Sequence, residues 1–175
     1  MSLARRWSLL LLAAVPLAAA LPGLAHADAN ESALLASRLV NFLRFFDWSG
    51  TSDGGLTFCF LGADSVRERL LASPEPQRVG SWNIVMRAAS GADDLAGCSV
   101  LYIDAAWRRA NPATGEPLRR HMLTISNSTD FNARGGMIEV VPLNDRLKFS
   151  VNLPNIRRAG LQVSSTLLEV ATVRH

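Results

Sequence analysis

Apolar positions follow two regimes along this chain. From Trp7 to Ala25 they form an uncharged stretch, richest in Leu and Ala between Leu9 and Ala20. After Asp28 they become periodic. Across residues 31–48, Leu35, Leu39, Phe42, Leu43 and Phe46 recur at helical spacing, which predicts an amphipathic helix. Leu34, Phe45 and Trp48 add a second apolar stripe on the side that carries Arg38 and Asn41. A helix apolar on nearly two faces is either deeply buried or packed on both its own domain and a neighbour. Burial within the domain is the simpler expectation, and it leaves Leu34, Phe45 and Trp48 as candidate anchors for the other.

Short apolar runs follow at Leu56–Leu61, Trp82–Arg87, Cys98–Ile103 and His121–Ile125, and each predicts a strand. Gly62-Ala63-Asp64-Ser65 turns the first into a short helix, Val66–Ala72, which Ser73-Pro74-Glu75-Pro76 ends. Residues 90–97 read as a loop or short helix. Residues 104–120 read as mixed helix and loop, broken by Pro112, Gly115 and Pro117. The last third changes style. Met137–Leu143 and Leu147–Leu153 flank Asn144-Asp145-Arg146 as a β-hairpin, with Pro142 expected at an edge or strand end. Asn152 can cap a helix near Pro154, Gly160 suits its stop, and Leu161–Val173 predicts a final helix with Val163, Leu167, Leu168 and Ala171 as its apolar face. The expected fold is α/β: a layered single domain with a mixed, mostly parallel sheet, flanking helices and a C-terminal β-hairpin plus helix.

The first apolar run carries the marks of a leader. Arg5 and Arg6 precede it, Pro22 and Gly23 interrupt it, and Ala25-His26-Ala27 is a small-x-small cleavage site. The alternative is a membrane anchor, but the run is borderline in length and ends at a helix breaker. Residues 1–27 are therefore expected to be a signal peptide and residues 28–175 the exported domain, with a periplasmic location. No apolar run of about 20 residues follows Asp28, so no direct membrane insertion is expected after cleavage. Cleavage also changes the charge. The formal charge of +3 includes both leader arginines, and without them it falls to about +1. The basic balance thus gives no reason to expect nucleic acid as a partner.

The chain holds two cysteines, Cys59 and Cys98. An even count in an exported chain reads as a disulfide, the alternative being two buried free thiols. Closing that loop stabilises by about 4 kcal/mol in the chain-entropy description, before native strain. Catalytic chemistry is hard to find. After cleavage only His121 and His175 remain as imidazoles, and His121 reads as structural or surface. A Cys–His nucleophile would consume a cysteine better placed in the disulfide. Neither H-E-x-x-H nor C-x-x-C occurs, and Gly135-Gly136 lacks the lysine and spacing of a phosphate loop. No catalytic residue, metal or cofactor is expected. The basic pairs Arg119-Arg120 and Arg157-Arg158 are either solvated faces or docking corners, since arginine forks carboxylates and phosphates.

Several blocks, taken in order, carry a resemblance. They are Asn41-Phe42-Leu43-Arg44-Phe45-Phe46-Asp47-Trp48, Phe58-Cys59-Phe60-Leu61-Gly62, Cys98-Ser99-Val100-Leu101-Tyr102-Ile103 and Leu123-Thr124-Ile125-Ser126. Asp130-Phe131, Gly135-Gly136-Met137-Ile138, Leu147-Lys148-Phe149-Ser150-Val151-Asn152 and Gly160-Leu161-Gln162-Val163-Ser164-Ser165-Thr166-Leu167-Leu168 complete the set. From about Glu31 to Val173 the chain resembles the YfiR family of periplasmic proteins. The resemblance implies a dimeric regulator that holds an inner-membrane diguanylate cyclase inactive through its periplasmic part, lowering cyclic-di-GMP and biofilm formation. It also implies the Cys59–Cys98 pairing. A second cysteine pair found in some members is lacking here. The alternative reading is a periplasmic small-ligand sensor or binding module feeding another membrane signalling protein.

Overall fold

The structure, a computed structural model, describes residues 23–51, 55–62, 65–73, 77–112, 120–143 and 146–174. Residues 1–22, most of the expected signal peptide, and residues 52–54, 63–64, 74–76, 113–119, 144–145 and 175 lie outside the described residues. In chain order the elements are α1 (Gly23–Phe42), β1 (Phe46–Asp47), β2 (Gly55–Leu61), α2 (Ser65–Leu71), β3 (Arg78–Val79), β4 (Trp82–Ala89), β5 (Val100–Ile103) and α3 (Ala105–Ala110). They continue with β6 (Leu123–Ser126), β7 (Ile138–Leu143), β8 (Arg146–Asn152), α4 (Leu153–Arg158), β9 (Gln162–Val163), α5 (Ser165–Val170) and β10 (Thr172–Arg174).

The described strands form an eight-stranded sheet in the order β10-β8-β7-β6-β5-β2-β4-β3, and a separate ladder of β1 with β9. Strands β4, β2, β5, β6 and β7 are mutually parallel, β3 and β8 join antiparallel, and β10 runs parallel to β8. The domain is thus α/β with a mixed, mostly parallel sheet closed by a C-terminal hairpin. The chain winds outward from β2 to β4, then crosses back over β2 to β5. That order is the doubly wound one in which a central strand comes first. Pro142 falls opposite Leu147 near the hairpin end, beyond the two β7 residues that pair with β6, so its missing N–H breaks no central ladder.

Period-two alternation assigns each sheet face its own core. Leu56, Phe58, Phe60, Val100, Tyr102, Leu123, Ile125, Val140 and Val151 face one way, under Leu35, Leu39, Phe42 and Leu43 from the α1 end and Ile156 of α4. Cys59, Leu61, Leu101 and Ile103 face the other way and pack with Leu95, Met122 and Phe131 from the crossovers. Strands buried on both faces read as continuous apolar runs, which is why β2 and β5 were visible in the sequence.

The helix boundaries differ most from expectation, and strands β5 and β6 each begin two residues late, at Val100 and Leu123. The first helix ends at Phe42 rather than residue 48, passes through a single 3-10 turn at Leu43–Phe45, and becomes β1. It also begins at Gly23, expected as a helix breaker, rather than at residue 31, so the helix runs through the expected cleavage site between Ala27 and Asp28. The expected C-terminal helix over 161–173 is divided into β9, a six-residue α5 and β10. The cause is tertiary pairing: Phe46 and Asp47 pair with Val163 and Gln162, which removes residues from both helices. Ser164 then starts α5 by accepting the Leu167 N–H, and Thr172–Arg174 adds to β8. The apolar face survives the change. Leu167 is buried, and Val163, Leu168 and Ala171 pack against the same core.

Candidate functional site

The two cysteines are brought together as expected. Cys59 lies in β2 and Cys98 two residues before β5, and β2 and β5 are neighbours in register Phe58 to Val100. The sulfurs are bonded, with the Cα atoms 5.9 Å apart. Cys98 sits in the loop leading into β5, two residues outside the strand in which the sequence placed it. Cys59 is fully buried, whereas Cys98 is half-buried.

Arg87 locks the loop that carries Cys98. Its position opposite Cys59 on β4 places it beside the disulfide. The guanidinium donates to Asp94 Oδ1 at 2.6 Å, to the Asp94 and Ala96 carbonyls, and to Cys98 Sγ at 3.1 Å. Ser90 donates its N–H to the other Asp94 oxygen. These bonds, Arg87 foremost, hold the Asp94 carboxyl below the ordinary carboxylate range. Nothing in the sequence singled out Arg87 or Asp94, because their meeting depends on strand register.

The five candidate docking residues do not behave as one group. Trp48 is 2 % exposed and its indole N–H donates to the Leu43 carbonyl at 2.9 Å. That burial takes it out of the exposed set: once the helix turns into β1, Trp48 packs inward beside Phe46. Leu34 is half-buried on α1. Phe45 is half-buried at the far end of that helix, packed on Phe42, and its carbonyl accepts the Ser164 N–H. Arg157 and Arg158 are exposed at the end of α4, and Arg158 donates to the Asn155 side-chain oxygen. The arginines' helix α4 packs on β9, and β9 pairs with β1, the strand that follows Phe45. Leu34 lies about 12 Å along the α1 axis from Phe42, by the helical rise, and is apart from them.

The Asp130-Phe131 and Gly135-Gly136 blocks prove to be one packing device. The Phe131 ring is fully buried in the second core. A Cβ on Gly136 would meet that ring at 2.2 Å, so only glycine fits, and Gly135 adopts φ +103° to make the turn. Around it, Asn132 donates to Ser150 and Asn155 donates to the Gly135 carbonyl. His121 is exposed, adopts φ +59°, and its N–H donates to the Ala159 carbonyl. Among the described residues no cluster of three or more His, Cys, Asp or Glu could hold a metal, and no helix is long and apolar enough to cross a membrane.

This arrangement is a stapled, doubly covered sheet with polar networks that serve the fold. The family pattern described as YfiR/HmsC-like matches residues 32–172, from α1 to β10. The chain belongs to the YfiR/HmsC-like family. Its members are periplasmic regulators of diguanylate cyclase signalling, and their role is regulatory rather than catalytic. No individual curated protein gives a significant match. In this YfiR-like domain the matched blocks supply β2, β5, β6, the Phe131–Gly136 turn and the hairpin, which explains how a set of individually unspecific motifs identifies a fold.

Proposed function

We propose that this protein is exported with residues 1–27 removed and represses an inner-membrane diguanylate cyclase by binding its periplasmic part. The family match across residues 32–172 carries the reading. Repression is then a population shift: the bound cyclase is held in its inactive arrangement because the repressor binds that arrangement more tightly. Phe45, Arg157 and Arg158 form the proposed docking flank, with Leu34 as an outlying contact. A homodimer is the proposed assembly, as the family resemblance implies. Deleting the gene should raise cellular cyclic-di-GMP, and re-expression should lower it. Phe45→Ala or an Arg157→Ala/Arg158→Ala pair should relieve repression while the circular dichroism spectrum stays native. An unchanged cyclic-di-GMP level on deletion refutes repression. Normal repression by both variants moves the interface elsewhere.

A second reading, a small-ligand sensor, is favoured by one observation. A cleft of about 530 Å³ opens at the amino ends of the parallel strands. That volume falls within the range of small-molecule sites, about 300–1,000 Å³.

A further inference from the structure

In open doubly wound sheets, ligands usually sit at the carboxyl ends of the strands, where the winding reverses. Here that point lies between β2 and β5, and protein fills it. Asp104 follows β5 and caps α3 by accepting the Ala106 and Trp107 N–H groups. Gly62 follows β2 at φ +108°, and a Cβ there would approach the Asp104 Cβ to 2.6 Å. The roomy concavity is at the opposite end of the same strands.

Its construction is specific. The apolar part comes from Leu56, Leu95 and Val85. Leu56 and Leu95 are buried, but Val85 is 62 % exposed, a large apolar residue left open on the cleft wall. The loop entering β6 brings Arg120 and His121 to the rim. The His121 ring is wedged between two glycines: a Cβ on Gly160 would lie 3.3 Å from it and one on Gly50 3.4 Å. A histidine with φ +59° is costly backbone, and the Ala159 hydrogen bond at 2.7 Å holds it there. Thr57 and Ser99 add hydroxyls. No carboxylate lies among the described residues that line the cleft, and none pairs with Arg120 among the described residues.

From this we infer that the cleft binds a small organic anion with an apolar body, its charged group held by Arg120 and His121 and its body laid against Val85 and Leu95. The guanidinium offers a planar fork to a carboxylate or phosphate, and the imidazole offers an N–H. The inference rests on the sensor reading and is independent of whether the chain represses a cyclase.

The test uses the purified protein and three matched probes: phenylacetate, the uncharged benzyl alcohol and the cationic benzylamine. Amide chemical shifts are followed by NMR during each titration. Phenylacetate should perturb Thr57, Ser99 and His121 and bind at least tenfold more tightly than the other two. Arg120→Ala/His121→Ala should abolish that preference. Val85→Glu, at an exposed site that the fold does not need, should weaken phenylacetate tenfold with an unchanged melting temperature. Benzyl alcohol binding in the cleft as tightly as phenylacetate overturns the anion assignment while leaving a sensor. If no probe perturbs the cleft residues, both the assignment and the sensor reading fall.

Discussion

Gly136 shows how one residue can carry a motif. The ring of Phe131 occupies the space a Cβ would need, and the ring is walled by the second core. A Gly136→Ala variant must push a buried aromatic off its packing, a change that typically costs about 1–3 kcal/mol. Chemical denaturation should show that loss with the m-value unchanged. Asp94 gives a prediction with a pH sign. Its folded carboxyl is held below the ordinary 3.8, chiefly by the Arg87 hydrogen bond. The stability it contributes is therefore present above the unfolded value and lost as pH falls through the lower folded value. An Asp94→Asn variant should melt below wild type at about pH 7, and the gap should close as pH drops to about 2. A gap that stays constant with pH would show that the carboxylate charge plays no part.

At the scale of elements, the disulfide and the β1–β9 ladder do comparable jobs in different ways. The ladder ties the end of α1 to the segment after α4 through two residue pairs. The disulfide ties β2 to the loop entering β5 across a sequence separation of 39, which restricts the unfolded chain more than it adds contacts to the folded one. Removing a native disulfide from a small exported domain typically costs about 2–5 kcal/mol. Cys59→Ser should lower the melting temperature accordingly, and adding reductant to the variant should change nothing further. An equal melting temperature for variant and wild type would mean that the Arg87 network alone holds the Cys98 loop.

For the whole molecule, the two ends of one parallel sheet are built differently. The carboxyl ends are closed by Asp104 and Gly62, and the amino ends are open between Leu56, Val85 and His121. The proposed docking residues Phe45 and Arg157 lie elsewhere, Phe45 directly before β1 and Arg157 in α4. Export would release all three into the periplasm. Intact mass of the periplasmic protein should place its N-terminus within about two residues of Asp28. Retention of residues 1–27 would instead make the leader an anchor.

Read without tertiary structure, the chain already showed β2, β4, β5, the hairpin and the α4 cap, because continuous or alternating apolar runs and an Asn–Pro helix start are local signals. The cysteine pairing was legible from the count alone, and family membership from the order of short blocks. The helix ends were not legible. Phe46-Asp47 and Gln162-Val163 have helical neighbours, and only their pairing across more than a hundred residues makes them strands. Trp48 looked like a surface anchor because helical spacing put it on the outer stripe; β1 turned it inward. Arg87 and Asp94 gave no local signal, and the sequence marked Arg120 only as half of a basic pair and His121 only as a structural or surface histidine, since strand register and the left-handed turn at His121 decide where they sit. Local patterning specifies which residues are buried, but long-range pairing decides which buried and exposed groups meet.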